Sequence, residues 1–492
     1  MNHEPLSDAK IGTVFNAVVV NTFGRWTRKK EETGAPVGPL GLVYWAGKVY
    51  SYQPLKGEYC AWRLKSDRDW LEMAVINGLE GLEYKQYTSQ GQSAPPIVSY
   101  NPVEPSRERV STLVKKILGK FYLDTEIEAP FLLKDQSYPE VDKAGDPADV
   151  CCLDGVVNMR TLERGVRGPE RFDPVVVPVE WDEGAECPLF EECLDVWGEG
   201  EAEWKELALR MMAYSLMTRH KWGVFFVRYG ESRSGKSTLD KVETMLLGGL
   251  SSKGGGKYVT DLQVLAGNHG TEGLEDARAI SITEASELTR REALQIATQI
   301  KNFAGGESIR INPKNVKTKD VAISPVLTIT GNDIPALPDS THSLWNKAVI
   351  LPFMRRMRAE EQDPELDERL RAELPGIFRL VMEAGQRMWA SAHHERWPKP
   401  RNAKRCLQIA MAASNPVAKF VAIACREVEG ALTDKESLYE YYREIRREKN
   451  IKAMSKDQFF QGLRQLGYDT GRGAQGKKVA GLRIAPVGVD DE

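Results

Sequence analysis

At 492 residues, with 41% hydrophobic and 28% charged side chains, the chain has room for about three domains of ordinary globular composition. No run approaches the roughly 18 apolar residues of a membrane span, and Met1-Asn-His-Glu-Pro-Leu-Ser-Asp8 has no basic region leading into an apolar core. A cytoplasmic protein with no membrane partner is therefore expected. The formal net charge of −3 argues against a polyanion partner only as a global sum, because residues 443–483 carry eleven Lys and Arg against four Asp and Glu. The seven cysteines form no C-x-x-C pair and have no His at ligand spacing, which argues against a zinc module and for reduced, mostly buried thiols.

In chain order, residues 1–105 read as an α+β accessory region. Short aromatic-rich β pieces (41–52) precede a helix expected over 67–76, and a polar, Pro-bearing link (88–107) closes the region. Residues 106–205 form a lead-in. A helix is expected over 111–118, strand signals fall near 150–159, and a helical stretch runs over 189–219, almost to the next strand. Residues 206–395 make an α/β nucleotide-binding core, ended by the link Glu395-Arg-Trp-Pro-Lys-Pro-Arg401, and 402–492 a small C-terminal domain.

The core opens on Gly223-Val-Phe-Phe-Val-Arg-Tyr229, a buried strand by pattern, and then Gly230-Glu231-Ser232-Arg233-Ser234-Gly235-Lys236-Ser237-Thr238, which fits G-x-x-x-x-G-K-[ST]. Residues 237–247 continue as an amphipathic helix. A strand feeding a glycine-rich turn into a helix lets backbone amides curl around a β-phosphate. Lys236 then reaches the β and γ oxygens, and the Ser237 hydroxyl ligates Mg²⁺ at the positive end of the helix dipole. ATP and Mg²⁺ are the expected cofactors.

Such a site also needs a carboxylate at the end of a neighbouring strand. Ala277-Arg-Ala-Ile-Ser-Ile-Thr283 alternates like a strand and runs into Glu284-Ala-Ser-Glu287. Glu284 is placed for metal-bound water or general base work, with Glu287 assisting, although an acidic start to the next helix would look the same. A further strand, 326–330, ends on Gly331-Asn332-Asp333. If it lies beside the phosphate-loop strand, the Asn332 amide can sense the γ-phosphate, and an Asn-Asp turn is the plain alternative. Between the two lies a hairpin, 308–321, with Arg310, Lys314, Lys317 and Lys319 and its tip at Pro313-Lys314-Asn315. It suits contact with a phosphate backbone, as a lysine-protected sheet edge also would.

In the C-terminal domain, helices are expected over 434–445 and 455–466, the second with a Ser455/Gln458 capping box and an apolar stripe of Phe459, Leu463 and Leu466. Two strand-like pieces, 468–472 and 477–483, follow around a glycine-rich turn. That is the outline of a winged helix, with Lys456, Gln461 and Arg464 facing a groove and Arg472, Lys477 and Lys478 on the wing, against a helical domain with a solvated basic face.

The order of phosphate loop, Glu284 strand, basic hairpin, Gly331-Asn332-Asp333 and Trp345 to Pro352-Phe353 resembles the superfamily 3 DNA helicases, in the branch found in phage, plasmid and poxvirus-like primase-helicase proteins. Leu153-Asp-Gly-Val-Val-Asn158, Gln299 to Glu307 and Leu374-Pro-Gly-Ile-Phe378 extend the resemblance. It implies an AAA+ fold, a homo-oligomeric ring of six subunits with ATP held between neighbours, and a bacterial host. It also implies 3′ to 5′ translocation on single-stranded and forked DNA beside a separate primase or replication initiator. Where that branch carries Trp-Arg-Arg, this chain has Trp345-Asn346-Lys347. The trans-acting finger is thus Lys347, a point charge without the bidentate fork, or Arg355 or Arg356 in Phe353-Met-Arg-Arg-Met357. A bifunctional primase-helicase would use Asp124 and Glu126, but no S-x-H follows them and no His lies between His3 and His220. A non-translocating, DNA-sensing or origin-binding ATPase is the other alternative.

Overall fold

Among the described residues, five short runs rich in β-branched, aromatic and aliphatic side chains build the central sheet: Phe225–Gly230 (β1), Lys257–Thr260 (β2), Ala279–Ile282 (β3), Val326–Gly331 (β4) and Ala348–Phe353 (β5). The computed structural model describes residues 6–7, 10–11, 14–15, 17–18, 42–46, 48–56, 59–65, 68–89, 95–123, 128–134, 140–219, 222–267, 271, 273–274, 277–283, 289–306, 309–311, 319–321, 323–332, 335, 337, 344–414, 416–448, 453–468 and 478–484. All four strand pairings of this sheet are parallel, and the order across it is β2-β3-β4-β1-β5. β1 is therefore flanked by β4 and β5, not by β2, its successor in the chain. In an open parallel sheet the crevice beyond the carboxyl ends, where the order switches, is where ligands bind.

Both faces of this sheet are buried, as parallel sheets require. Phe226, Ala279, Val326 and Leu351 pack on one side with Leu239, Val242 and Leu246 of the helix Lys236–Leu246 and with the helices Ala202–Leu216 and Leu374–Ala390. Phe225, Val227, Ile280, Leu327 and Ile350 point the other way, onto Ile296, Ile300 and Phe303 of the helix Arg290–Gly305. The alternation within β1 alone assigns the two layers. Among the described residues no helix is long and apolar enough to cross a membrane.

The amino-terminal part supplies a three-stranded antiparallel sheet (Leu42–Trp45, Lys48–Lys56, Tyr59–Lys65), a hairpin (Glu83–Thr88, Ile97–Pro102) and the helices Arg68–Leu79 and Arg107–Lys120. Leu71, Val75, Leu113 and Ile117 form a local core, whereas Trp45, Tyr50 and Trp62 belong to the same apolar cluster as Phe131, Phe172 and one face of the central sheet. The helical stretch expected over 189–219 is two helices, Pro188–Trp197 and Ala202–Leu216, broken at Gly198–Glu201. The indole of Trp204 covers Gly198, where a Cβ would lie 2.6 Å from the ring. The first of these helices begins on backbone amides of Leu189 and Phe190 that donate to the Glu373 carboxylate at 3.1 and 2.9 Å, a cap from a distant segment.

The carboxyl-terminal region has a core of its own around Val417, Phe420, Leu438, Tyr442, Phe459 and Leu463. Its two expected helices are present as Lys435–Glu448 and Lys456–Gln465, the latter with both hydrogen bonds of the Ser455/Gln458 capping box. The strand pairing differs from the expected one. Lys478–Ile484 runs antiparallel to Cys425–Asp434, a strand ahead of the two helices that the sequence reading had not assigned. Residues 425–434 show weak alternation with Glu and Arg at most solvent-facing positions, so their β character comes from the pairing itself. Residues 469–472, expected as the partner, lie outside the described residues.

Candidate nucleotide and DNA-contact site

The turn from β1 into the helix Lys236–Leu246 is dictated by two glycines. Gly230 has φ +146°, and a Cβ there would meet the Phe353 carbonyl oxygen at 1.9 Å; Gly235 has φ +96°, and a Cβ there would lie 2.4 Å from Trp197 Nε1. Neither conformation nor space admits a side chain. The loop is pinned to the exit of β5: Glu231 N–H donates to Phe353 O at 2.9 Å, and Met357 N–H donates to Arg233 O at 2.9 Å. Ser234 Oγ closes the curl on Glu231 O at 2.7 Å. Glu231, Ser232, Arg233 and Ser237 are exposed, Thr238 is half-buried, and Ser234, Gly235 and Lys236 are buried. Because the helix starts at Lys236, with Gly235 as its cap, the amides of its first turn have no intrahelical acceptor and stand at the positive end of the dipole.

The Lys236 side chain lies inside the curl. Its Nζ donates to Gly230 O at 2.9 Å, to Ser234 Oγ at 3.1 Å and to Glu231 O. Burial draws its pKa down to about 8, against a pull back from Glu231. The ammonium still carries its charge at neutral pH, and a bound anion would favour that charged form further.

Beneath the loop, charged side chains that the sequence reading did not single out lock the helix to the sheet. Arg228 of β1 and Lys257 of β2, both 0% exposed, face Asp240 and Glu243 of the helix. Arg228 reaches Asp240 at 3.1 Å and Glu243 at 3.0 Å, and Lys257 reaches Asp240 at 3.2 Å and also Glu243. Ser215 and Ser281 of β3 donate to Glu243 and Asp240, the latter at 2.6 Å. Burial alone would push the Glu243 carboxyl up, but Arg228 and Lys257 hold it well below the usual carboxylate range. The signal in the sequence was an arginine inside an apolar strand.

β4 pairs directly with β1 in the register Tyr229↔Gly331, so Asn332 leaves the sheet beside Gly230 and is exposed there. β3 lies one strand further, Ile282 opposite Ile329. Glu284 and Glu287, which follow it, lie outside the described residues, as do Asp124 and Glu126. The candidates for a finger residue separate to opposite ends of β5. Lys347 precedes Ala348, which is paired with Phe225 at the start of β1, whereas Arg355 and Arg356 follow Phe353, paired with Gly230. Five steps of about 3.3 Å put Lys347 roughly 17 Å or more from its own loop. Arg355 stays beside its own loop, paired with Glu361 and 3.5 Å from Val196 O, and Arg356 is exposed.

Of the basic hairpin, the strands Ile309–Ile311 and Lys319–Val321 are described, antiparallel with Arg310 opposite Asp320 and Lys319 opposite Ile311. Lys314 and Lys317 lie outside the described residues. In the carboxyl-terminal region Gln461, Arg464 and Lys478 are exposed, while Lys456 is exposed but paired with Glu436. Arg472 and Lys477 lie outside the described residues.

A five-stranded parallel sheet flanked by helices, with a glycine-bounded loop at its carboxyl edge, is compatible with an α/β NTPase core. Residues 228–347 match the model of a family of unknown function, DUF5906. Two solved structures of the C-terminal region of NrS-1 are similar to this chain. The A form apo structure is 14% identical, covering 76% of this chain and 80% of that one, with a TM-score of 0.41. The apo structure of the region 305–718 is 14% identical, covering 82% of this chain and 88% of that one, with a TM-score of 0.42.

Proposed function

We propose that the chain is an ATP-dependent DNA helicase serving replication of a phage or other mobile element, of the superfamily 3 AAA+ type, ring-forming and moving 3′ to 5′ on single-stranded DNA. The observation that carries this reading is the Lys236 loop at the carboxyl edge of β1, with Asn332 at the exit of the adjacent β4 and the strand leading to Glu284 next after it. In the proposed reaction the loop amides and the Lys236 ammonium hold the triphosphate and stabilise charge on the transferred group. The donors available for Mg²⁺ are oxygens, the exposed Ser237 hydroxyl and, through water, Glu284, which suits that ion. Glu284 polarises the attacking water, with Glu287 assisting, and Asn332 orients it against the γ-phosphate.

Lys347, too far from its own loop, acts on the loop of a neighbouring copy, while Arg355 and Arg356 serve the loop of their own chain. DNA is held by Arg310, Lys314, Lys317 and Lys319 of the hairpin and by the winged-helix-like carboxyl-terminal region, through Arg464, Arg472, Lys477 and Lys478. The pairing of Lys456 with Glu436 lowers its share in that contact.

A second reading, an ATPase that senses DNA without translocating, is favoured by Asn346-Lys347 standing where an arginine finger is expected. DNA-stimulated hydrolysis without fork opening separates it from the first, and wild type beside Lys236→Ala is the comparison that tests both.

A further inference from the structure

At the end of the sheet away from the Lys236 loop, Trp222, Gly223 and Val224, just ahead of β1, and the first residues of β5 border a cavity of about 630 Å³. Its floor is apolar, with Val224, Val349, Leu407 and Trp397. Its rim carries Lys347 from the single turn Trp345–Lys347 just before β5, Lys399 from the link after the core and Lys404 from the helix Ala403–Ser414, with His393 and His394 beside them. Among the described residues that line it there is no carboxylate.

The cavity is held open by fixed parts. Trp222 is stacked on Tyr214 at 5.0 Å and carries the Arg396 guanidinium 4.0 Å from its ring centroid. Trp397 packs edge-on against Phe226 at 5.3 Å. Arg210 Nη1 donates to the carbonyls of Glu395 and Arg396 at 3.2 and 2.9 Å, which ties the link down.

We propose that this cavity is a second nucleoside-phosphate site, separate from the loop at Lys236. Its volume lies in the range of small-molecule sites, which pair an apolar lining with few convergent polar groups. Three lysines from three elements suit an anion with more than one charge, the apolar floor suits a flat heterocycle, and the Asn346 amide offers both a donor and an acceptor to ring atoms. The ligand is a nucleoside phosphate, either free or as a unit of a single strand.

The test uses the full-length chain with two probes, β,γ-imido-ATP by calorimetry and fluorescein-labelled dT20 by anisotropy. Leu407→Trp fills the floor, Lys399→Glu with Lys404→Glu reverses the rim, and Ala403→Leu is a smaller filler should Leu407→Trp not fold. If the ligand is free, wild type binds two nucleotides per chain, Lys236→Ala retains one, and adding a filler or the rim pair to Lys236→Ala abolishes it. If it is a strand, nucleotide stoichiometry stays at one and dT20 affinity falls at least tenfold in the filler and rim variants alike. The proposal is overturned if folded filler variants bind both probes as wild type does, including the case in which only the rim pair weakens dT20, the behaviour of a merely solvated basic face. Failure of the helicase reading would appear instead as absent hydrolysis in wild type.

Discussion

Replacing Glu243 by Gln keeps the shape of a side chain that is 1% exposed and removes one of the two negative charges facing Arg228 and Lys257. The two cations, both 0% exposed, are then left with Asp240 alone. Breaking a buried pair in this way costs about 3–5 kcal/mol, which in a unit of roughly 200 residues lowers the melting temperature by roughly 6–20 °C. Adding Lys257→Met returns the site to one cation and one anion, so the double variant should recover part of the loss, with a coupling of about 1–3 kcal/mol. The pH dependence has a definite sign. Because the folded Glu243 pKa is depressed, its stabilising contribution is present above the usual carboxylate range and is lost as pH falls through and below it. Wild type should therefore lose more stability than Glu243→Gln between neutral pH and pH 3. Urea unfolding followed by near-ultraviolet circular dichroism measures both effects. A single variant within about 1 kcal/mol of wild type, or a double variant no more stable than the single, refutes the account of this quartet.

The Lys236 ammonium titrates at about 8 in the fold and near its ordinary value when unfolded, so stability without nucleotide should rise between pH 8 and 10. Over the same interval the stabilisation by added ATP should shrink, and thermal melts across that range show either trend or its absence. Gly235→Ala forces a left-handed residue and displaces the buried Trp197 indole. The first costs about 1–2 kcal/mol and the second about 1–3 kcal/mol; nucleotide binding should be lost with it, and wild-type affinity in this variant contradicts the loop geometry. Changing Lys314 and Lys317 to Ala should spare basal hydrolysis and remove its stimulation by DNA, whereas equal stimulation overturns the hairpin assignment.

The turn Gly230–Lys236 and its flanking strand and helix were legible as local structure because glycines at that spacing mark a tight turn, and because β1 and β4 are apolar runs bounded by turn residues. Their adjacency was conditional in the sequence, since strand order depends on crossovers that no local pattern encodes. The register of β4 against β1 settles where Asn332 emerges. Arg228, Asp240, Glu243 and Lys257 escaped notice because a charge within a strand or on a helix reads as solvent-facing until its partners are known. Lys347 and Arg355 looked interchangeable from their closeness in sequence, yet the strand between them holds them at opposite ends of the sheet. In the carboxyl-terminal region the helices followed from their apolar stripes and capping box, whereas Cys425–Asp434 acquires its strand character only by pairing with Lys478–Ile484.

In the proposed function, hydrolysis at the Lys236 loop drives strand separation. Unwinding of a forked DNA duplex by wild type beside Lys236→Ala, with hydrolysis recorded in the same reactions, tests it most directly. Wild type is expected to open the fork from a 3′ tail in an ATP-dependent manner, and Lys236→Ala neither to open it nor to hydrolyse ATP. Hydrolysis by wild type without fork opening under any salt or loading condition would contradict it.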